Sequence, residues 1–240
     1  MNFLRITNLS KDYRKNGQTA RILAKINCDF EKGKIHVVLG PSGCGKTTFL
    51  CLIAGLVKPT TGEIRLDKKI ITSPASGDIG VVFQDLRLFP WLKTTENIAF
   101  GLRMRGIPEI EKTTRQYLKM VGLAPFGQYY PFELSGGMKQ RLALARGLVL
   151  KPQILLLDEP FGSLDPKTRK RMQKLLLRIH KMLKTTIIFV THDTDEAITL
   201  GDRIYILSGV PGKIKKIFEN KTRQFPDTVH KLKSKIVESF

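Results

Sequence analysis

The residues best suited to chemistry lie in one run, Gly40-Pro41-Ser42-Gly43-Cys44-Gly45-Lys46-Thr47, with Thr48 directly after it. The run fits G-x-x-x-x-G-K-[ST]. Glycines let the main chain curl so that several N–H groups converge on phosphate oxygens. A helix opening near Lys46 adds the positive end of its dipole. Lys46 brings a full charge to the β- and γ-phosphates of a nucleotide, and the Thr47 hydroxyl is a hard oxygen ligand for Mg²⁺. Cys44 sits inside the run, so thiol alkylation is expected to reach it and to block nucleotide binding.

A second group lies far along the chain. The apolar residues 154–157 run into Asp158 and Glu159, and Pro160 then stops the segment. A carboxylate at the end of a buried strand can hold Mg²⁺ through water. Glu159 has no structural need there and is placed to accept a proton from a water attacking the γ-phosphate. A third group, Leu134-Ser135-Gly136-Gly137-Met138-Lys139-Gln140-Arg141, opens a helix with a hydroxyl and free N–H groups. This makes a second anion site. One chain with two phosphate-facing loops suggests one ATP shared between two protomers.

Three continuous apolar runs, residues 35–39, 154–157 and 187–190, read as strands buried on both faces of a parallel sheet. Each precedes a polar or Gly/Pro-marked segment and a helical pattern, the alternation of an α/β fold. Residues 46–56 read as the helix behind the phosphate loop. Leu4, Ile6 and Leu9 read as a short edge strand. Residues 22–30 alternate apolar with polar, as in an antiparallel strand with one wet face. Between residues 84 and 149 helical patterns dominate, at 95–105, 109–121 and 136–150, and read as a helical lobe inserted in the core. Asp165-Pro166 reads as the N-cap and first position of a further helix. Its apolar stripe is Met172, Leu175, Leu176, Ile179 and Leu183. Its other face carries Lys167, Arg169, Lys170, Arg171, Lys174, Arg178, Lys181 and Lys184.

On these motifs and their order, the whole chain resembles the ATP-binding subunits of ABC transporters. The resemblance implies a P-loop NTPase (RecA-like) α/β core in residues 1–84 and 150–212, carrying an antiparallel β subdomain. It further implies an inserted helical subdomain at 85–149 and a basic tail at 213–240. It makes the run from Gly40 the Walker A, Gln84 the Q-loop residue and a further Mg²⁺ ligand, Leu134 to Met138 the signature, Asp158 the Walker B acid and Glu159 the catalytic acid. Ser163-Leu164-Asp165 matches the D-loop, His192 the switch histidine, and Tyr13 the aromatic residue that stacks on adenine. Met138 stands where the commonest signature has Gln, with Ser135 and Gly137 intact. Each residue also has a plainer reading: Tyr13 and His192 as packed side chains, Gln84 as a strand cap. The resemblance implies a head-to-tail dimer that binds ATP and Mg²⁺ at two shared sites, hydrolyses ATP and drives membrane permease subunits, indirectly serving an extracytoplasmic solute-binding protein.

Val82 to Leu92 and Thr95 to Leu102 look like the nitrate, sulfonate and taurine class of bacterial importers. Phe89, Trp91 and Leu92 form an apolar patch, either core packing or a groove for a helix of a membrane partner. The chain ends near residue 240, without the added domain of sugar-importer ATPases.

The formal charge is +20, from 41 Lys and Arg against 21 acids. A solvated basic surface, nucleic acid, acidic lipid or nucleotide phosphates could account for it. No nucleic-acid-binding signature accompanies it, and no nucleic acid is expected as a partner. No apolar run reaches the roughly 20 residues of a membrane span, and the first ten residues lack the shape of a signal peptide. The expected place is therefore the cytoplasmic face of the cell membrane. Cys28, Cys44 and Cys51 read as reduced thiols. A soluble ABC ATPase acting on nucleic acid or ribosomes, and an exporter ATPase, remain open alternatives.

Overall fold

The computed structural model describes residues 3–15, 17–74, 78–222 and 224–239. Its strands are β1 (Leu4–Lys15), β2 (Gln18–Phe30), β3 (Ile35–Leu39), β4 (Thr61–Leu66), β5 (Lys69–Ile70), β6 (Ile79–Val82), β7 (Ile154–Asp158), β8 (Thr186–Thr191), β9 (Arg203–Ser208) and β10 (Lys213–Glu219). Its α-helices are α1 (Lys46–Ile53), α2 (Thr94–Met104), α3 (Ile110–Met120), α4 (Gly136–Leu148), α5 (Pro166–Leu183), α6 (Thr194–Leu200) and α7 (Val229–Val237). The chain divides into two compact units, Met1–Ser76 with Thr185–Phe240, and Gly77–Lys184.

In the first unit β3 is the central strand. It runs parallel to β8 on one side and β9 on the other, and β10 pairs antiparallel with β9. All five residues of β3 and all six of β8 are buried. This is why their sequences are mostly apolar rather than alternating. Behind β3, Phe49 of α1 packs on Phe30, which in turn lies against Tyr205 with ring centroids 4.8 Å apart. Burying one such side chain contributes about 1.5–3 kcal/mol, so the helix behind the phosphate run is firmly seated.

The antiparallel sheet of this unit has the order β2-β1-β4-β5. Here the structure corrects the sequence reading: β1 is not a short edge strand but an interior one of 12 residues, paired on both sides. Its alternation is broken by register shifts after Ile6 and Leu9, and Asn8 takes a left-handed backbone with φ 49°. Such bulges reset which residues face the core, so only the first half was readable. Helix α1 also stops earlier than residue 56. Gly55 has φ +71°, and a Cβ there would collide with the Ser73 carbonyl, so the chain turns out of the helix. The C-terminal stretch forms β10, a short 3₁₀ turn and α7.

In the second unit β6 and β7 pair in parallel, Ile79 beside Ile154 and Val82 beside Leu157. Helix α4 closes on them through two glycines: a Cβ on Gly80 would strike the Gly147 carbonyl. Its buried residues are Gln140, Leu142, Ala143, Leu144, Ala145 and Leu148. Helix α5 buries Met172, Gln173, Leu176 and Ile179. The three inserted helices start and stop within two residues of the expected positions.

Candidate functional site

The phosphate run leaves β3 and turns into α1. Gly45 stands at the N-cap with φ 97°, in the left-handed region that favours glycine, and no side chain caps the helix. The cap position itself therefore offers no side-chain acceptor to the N–H groups that open α1, where an anion can be received. A Cβ on Gly40 would collide with the Leu207 carbonyl and with Cys44 Sγ, so the run begins in a passage only glycine fits. Lys46 is 5% exposed and its ammonium donates to the carbonyls of Gly40 and Pro41, each at 2.9 Å. The loop thus holds its own cation in place. Ser42, Gly43 and Thr47 are exposed, and Thr48 is half-buried.

Cys44 is 3% exposed. The expectation that a reagent reaches it readily is therefore corrected: its thiol faces inward beneath the loop. Cys51, on α1, is the most exposed of the three cysteines.

Leu39 pairs with Thr191 in the parallel register of β3 and β8. The next residues on these two strands are Gly40 and His192. Neighbouring strands lie about 4.8 Å apart, so the register alone sets His192 beside the start of the phosphate run. The Gly40 N–H donates to the Thr191 carbonyl at 3.3 Å. The Thr191 hydroxyl donates to Glu196 Oε2 at 2.6 Å and accepts from the Asp193 N–H at 3.0 Å. Asp193 caps α6. His192 itself is exposed, between two pinned neighbours.

Tyr13 is 41% exposed on β1, with Lys11 Nζ over its ring at 4.9 Å. It pairs with Ala20 of β2. Two residues on, Ile22 and Leu23 lie against Gly45. The hairpin that carries Tyr13 is thereby docked on the phosphate run through Ile22 and Leu23, and the Tyr13 ring stays exposed on it.

In the second unit Asp158 ends β7 and is buried. Glu159 follows with φ 43°, left-handed for a residue with a Cβ. Such a conformation costs about 1–2 kcal/mol, and its strain turns the chain sharply just where the carboxylate is presented. Gln84 is exposed in the bend after β6. Ser135 is the N-cap of α4, its hydroxyl accepting from the Met138 N–H at 3.4 Å. Gly137 lies so close to α5 that a Cβ there would be 2.8 Å from the Thr168 methyl. Asp165 caps α5, accepting from Lys167 and Thr168 N–H groups. Hydrogen bonds from Thr168 hold its carboxyl below the usual carboxylate range. Ser135, Gly136, Gly137 and Asp165 line one cleft.

Three supporting residues escaped the sequence reading. A Cβ on Gly212 would collide with the Cys44 carbonyl, so this glycine bears directly on the phosphate run from 168 positions beyond Cys44 in sequence. Glu196 is buried and holds Thr191. Arg146 of α4 donates to the carbonyls of Leu86 and Arg87 at 2.7 and 2.6 Å and staples the segment after Gln84. Each acts by tertiary approach and belongs to no motif.

The fold and the phosphate run define a P-loop NTPase. The chain belongs to the ABC transporter family, which it matches over residues 23–162. Its class is therefore that of the ATP-hydrolysing cassettes of these transporters. It is 45% identical to the aliphatic sulfonates import ATP-binding protein SsuB of Bacillus cereus, over 98% of this chain and 94% of that one. It is 44% identical to the nitrate import ATP-binding protein NrtD of Synechocystis, over 89% of this chain and 80% of that one. The taurine import ATP-binding protein TauB of Pseudomonas aeruginosa is also 44% identical, over 87% and 80%. Among solved structures, a dimeric bacterial ABC transporter cassette superposes with a TM-score of 0.81 at 32% identity, covering 91% of this chain and 99% of the other. A post-hydrolysis dimer of an ATP-binding cassette bound to ADP and Pi gives the same score at 31% identity.

Proposed function

We propose that this chain energises a bacterial importer of nitrate, sulfonate, taurine or a similar small solute. The single observation that carries this is its likeness, over 87–98% of the chain at 44–45% identity, to ATP-binding proteins of sulfonate, nitrate and taurine import. Residues Gly40 to Thr48 hold the ATP phosphates, and Tyr13 stacks on the adenine. Lys46 neutralises phosphate charge. Glu159 takes the proton of the attacking water, and His192 orients the γ-phosphate. Thr47, Asp158 and Gln84 offer only oxygen donors of the kind Mg²⁺ prefers. When bound, Mg²⁺ neutralises charge on the phosphate oxygens.

The active unit is a dimer, in line with the dimeric cassettes this chain resembles. Ser135, Gly136, Gly137 and Asp165 of one protomer complete the site of its partner. The domain division at 85–149 is part of the same proposal. The permease docks on the aromatic patch: Trp91 is 70% exposed, 5.7 Å from Phe89, while Phe89 lies 4.6 Å from Phe100. Asn97, fully buried, braces this loop by accepting from Phe89 N–H and donating to the Phe89 and Leu92 carbonyls. A rigid loop presenting an exposed Trp supports docking over core packing. No helix among the described residues is long and apolar enough to cross a membrane. We place the subunit on the cytoplasmic face, held by the permease, with a solute-binding protein on the far side.

Uptake of labelled nitrate, alkanesulfonate and taurine by cells lacking this subunit tests the reading. Loss of one of these activities, restored by the chain but not by a Lys46→Ala variant, is expected. Unaltered uptake of all three and of every other small anionic or zwitterionic solute tried overturns it.

A further inference from the structure

Helices α4 and α5 and the end of α3 enclose a cleft of about 790 Å³ in the second unit. This is the size of a small-molecule site. Four cations line it: Arg141 from α4, and Arg171, Lys174 and Arg178 from α5. The α5 residues follow at i, i+3 and i+7, so they share one face. Arg141 Nη1 donates to the Val121 and Gly122 carbonyls at 3.2 and 3.0 Å, and Arg178 Nη2 donates to the Met120 carbonyl at 3.0 Å. Two guanidinium groups are thus gathered around three consecutive carbonyls. No ion pair joins any of the four cations to a carboxylate among the described residues. The one acid lining the cleft, Asp165, is turned onto the N–H groups of its own helix. Partial burial also lowers the pKa of Arg141.

Like charges brought together without a counter-ion repel, and nothing in the packing of α5 requires Arg171 or Lys174, both exposed. Arginine forks match phosphate oxygens two at a time. We propose that this cleft binds a small compound carrying two or more phosphate groups, separate from the ATP on the phosphate run. The occupant lies along Arg171, Lys174, Arg178 and Arg141. The inference goes beyond the ATPase reading and holds whatever role Ser135 plays at the cleft mouth.

Titration calorimetry of the full chain with sodium tripolyphosphate, in saturating MgADP, tests it. One equivalent should bind per chain. Arg171→Gln with Lys174→Gln should weaken it at least tenfold and leave ATP affinity unchanged. Lys46→Ala should lose ATP and keep tripolyphosphate. A control pair on the same helix outside the cleft, Lys167→Gln with Lys170→Gln, should change nothing. Absence of binding overturns the proposal. So does loss of binding in Lys46→Ala, which would place the anion on the phosphate run, or an equal loss in the control pair, which would make it a general charge effect.

Discussion

The Thr191 hydroxyl donates to Glu196 across 2.6 Å in a buried setting, while the Thr191 carbonyl receives the Gly40 N–H. One residue therefore ties the strand end before His192 both to α6 and to the start of the phosphate run. A carboxylate buried in this position orients a backbone rather than a substrate, so Glu196 and Thr191 are positioning residues for His192.

Replacing Thr191 with Val takes this donor from Glu196. A stability loss of about 1–3 kcal/mol is expected, equivalent to about 2–4 °C in Tm for each kcal/mol. Turnover should fall while KM for ATP holds, since Val keeps the carbonyl that accepts from Gly40. Thr191→Ser should restore both. Steady-state kinetics and thermal melts check this, and a lower Tm with unchanged kcat would reduce Thr191 to a purely structural role.

Glu159→Gln preserves size and the left-handed backbone but cannot take a proton. ATP should still bind, and the variant should accumulate as a closed dimer with MgATP. Gel filtration reads the dimer, and phosphate release reads the chemistry. Full hydrolysis by this variant would remove Glu159 from the mechanism.

Gly212→Ala places a methyl against the Cys44 carbonyl. The phosphate run must shift to admit it. ATP affinity should drop at least tenfold, and Cys44, shielded in the parent, should become reactive to thiol reagents. Calorimetry and thiol titration measure the two effects, and an unshifted ATP affinity would count against the coupling.

Trp91→Ala removes the exposed ring without touching the phosphate run. Hydrolysis by the isolated subunit should stay as it is, while solute uptake by the assembled transporter should fall several-fold. Equal losses in both assays would mean that Trp91 supports the fold and not a partner.

His36 is buried against Phe30 and Tyr205, with Nε2 bonded to the Glu31 carbonyl at 2.9 Å. Burial lowers its pKa from 6.5 to about 4. Between these values the unfolded chain binds the proton and the folded one does not. Its contribution is therefore whole above pH 6.5 and declines as pH falls toward 4, by about 1.4 kcal/mol per unit and about 3 kcal/mol in all. Denaturation of wild type and His36→Gln across this range should show a shallower acid slope in the variant.

Local order was legible in the sequence wherever one physical demand repeats along a short stretch. Strands β3, β7 and β8 are apolar at most positions because both faces are covered. The phosphate run had to be Gly-rich because backbone N–H groups make the site. Asp165-Pro166 marked a helix start because capping is a local bond. The family and the order of its motifs were readable on the same grounds. What only the tertiary structure decided arises where chain segments distant in sequence meet. Bulges put β1 in the middle of its sheet. Cys44 lies beneath its loop because Gly40 and Gly212 allow close approach. The parallel register of β3 with β8 sets His192 at the phosphate run. Arg141 and Arg178 converge on the end of α3, although they belong to different helices. These placements follow from which surfaces pack together, a property of the folded chain that no window along the sequence contains.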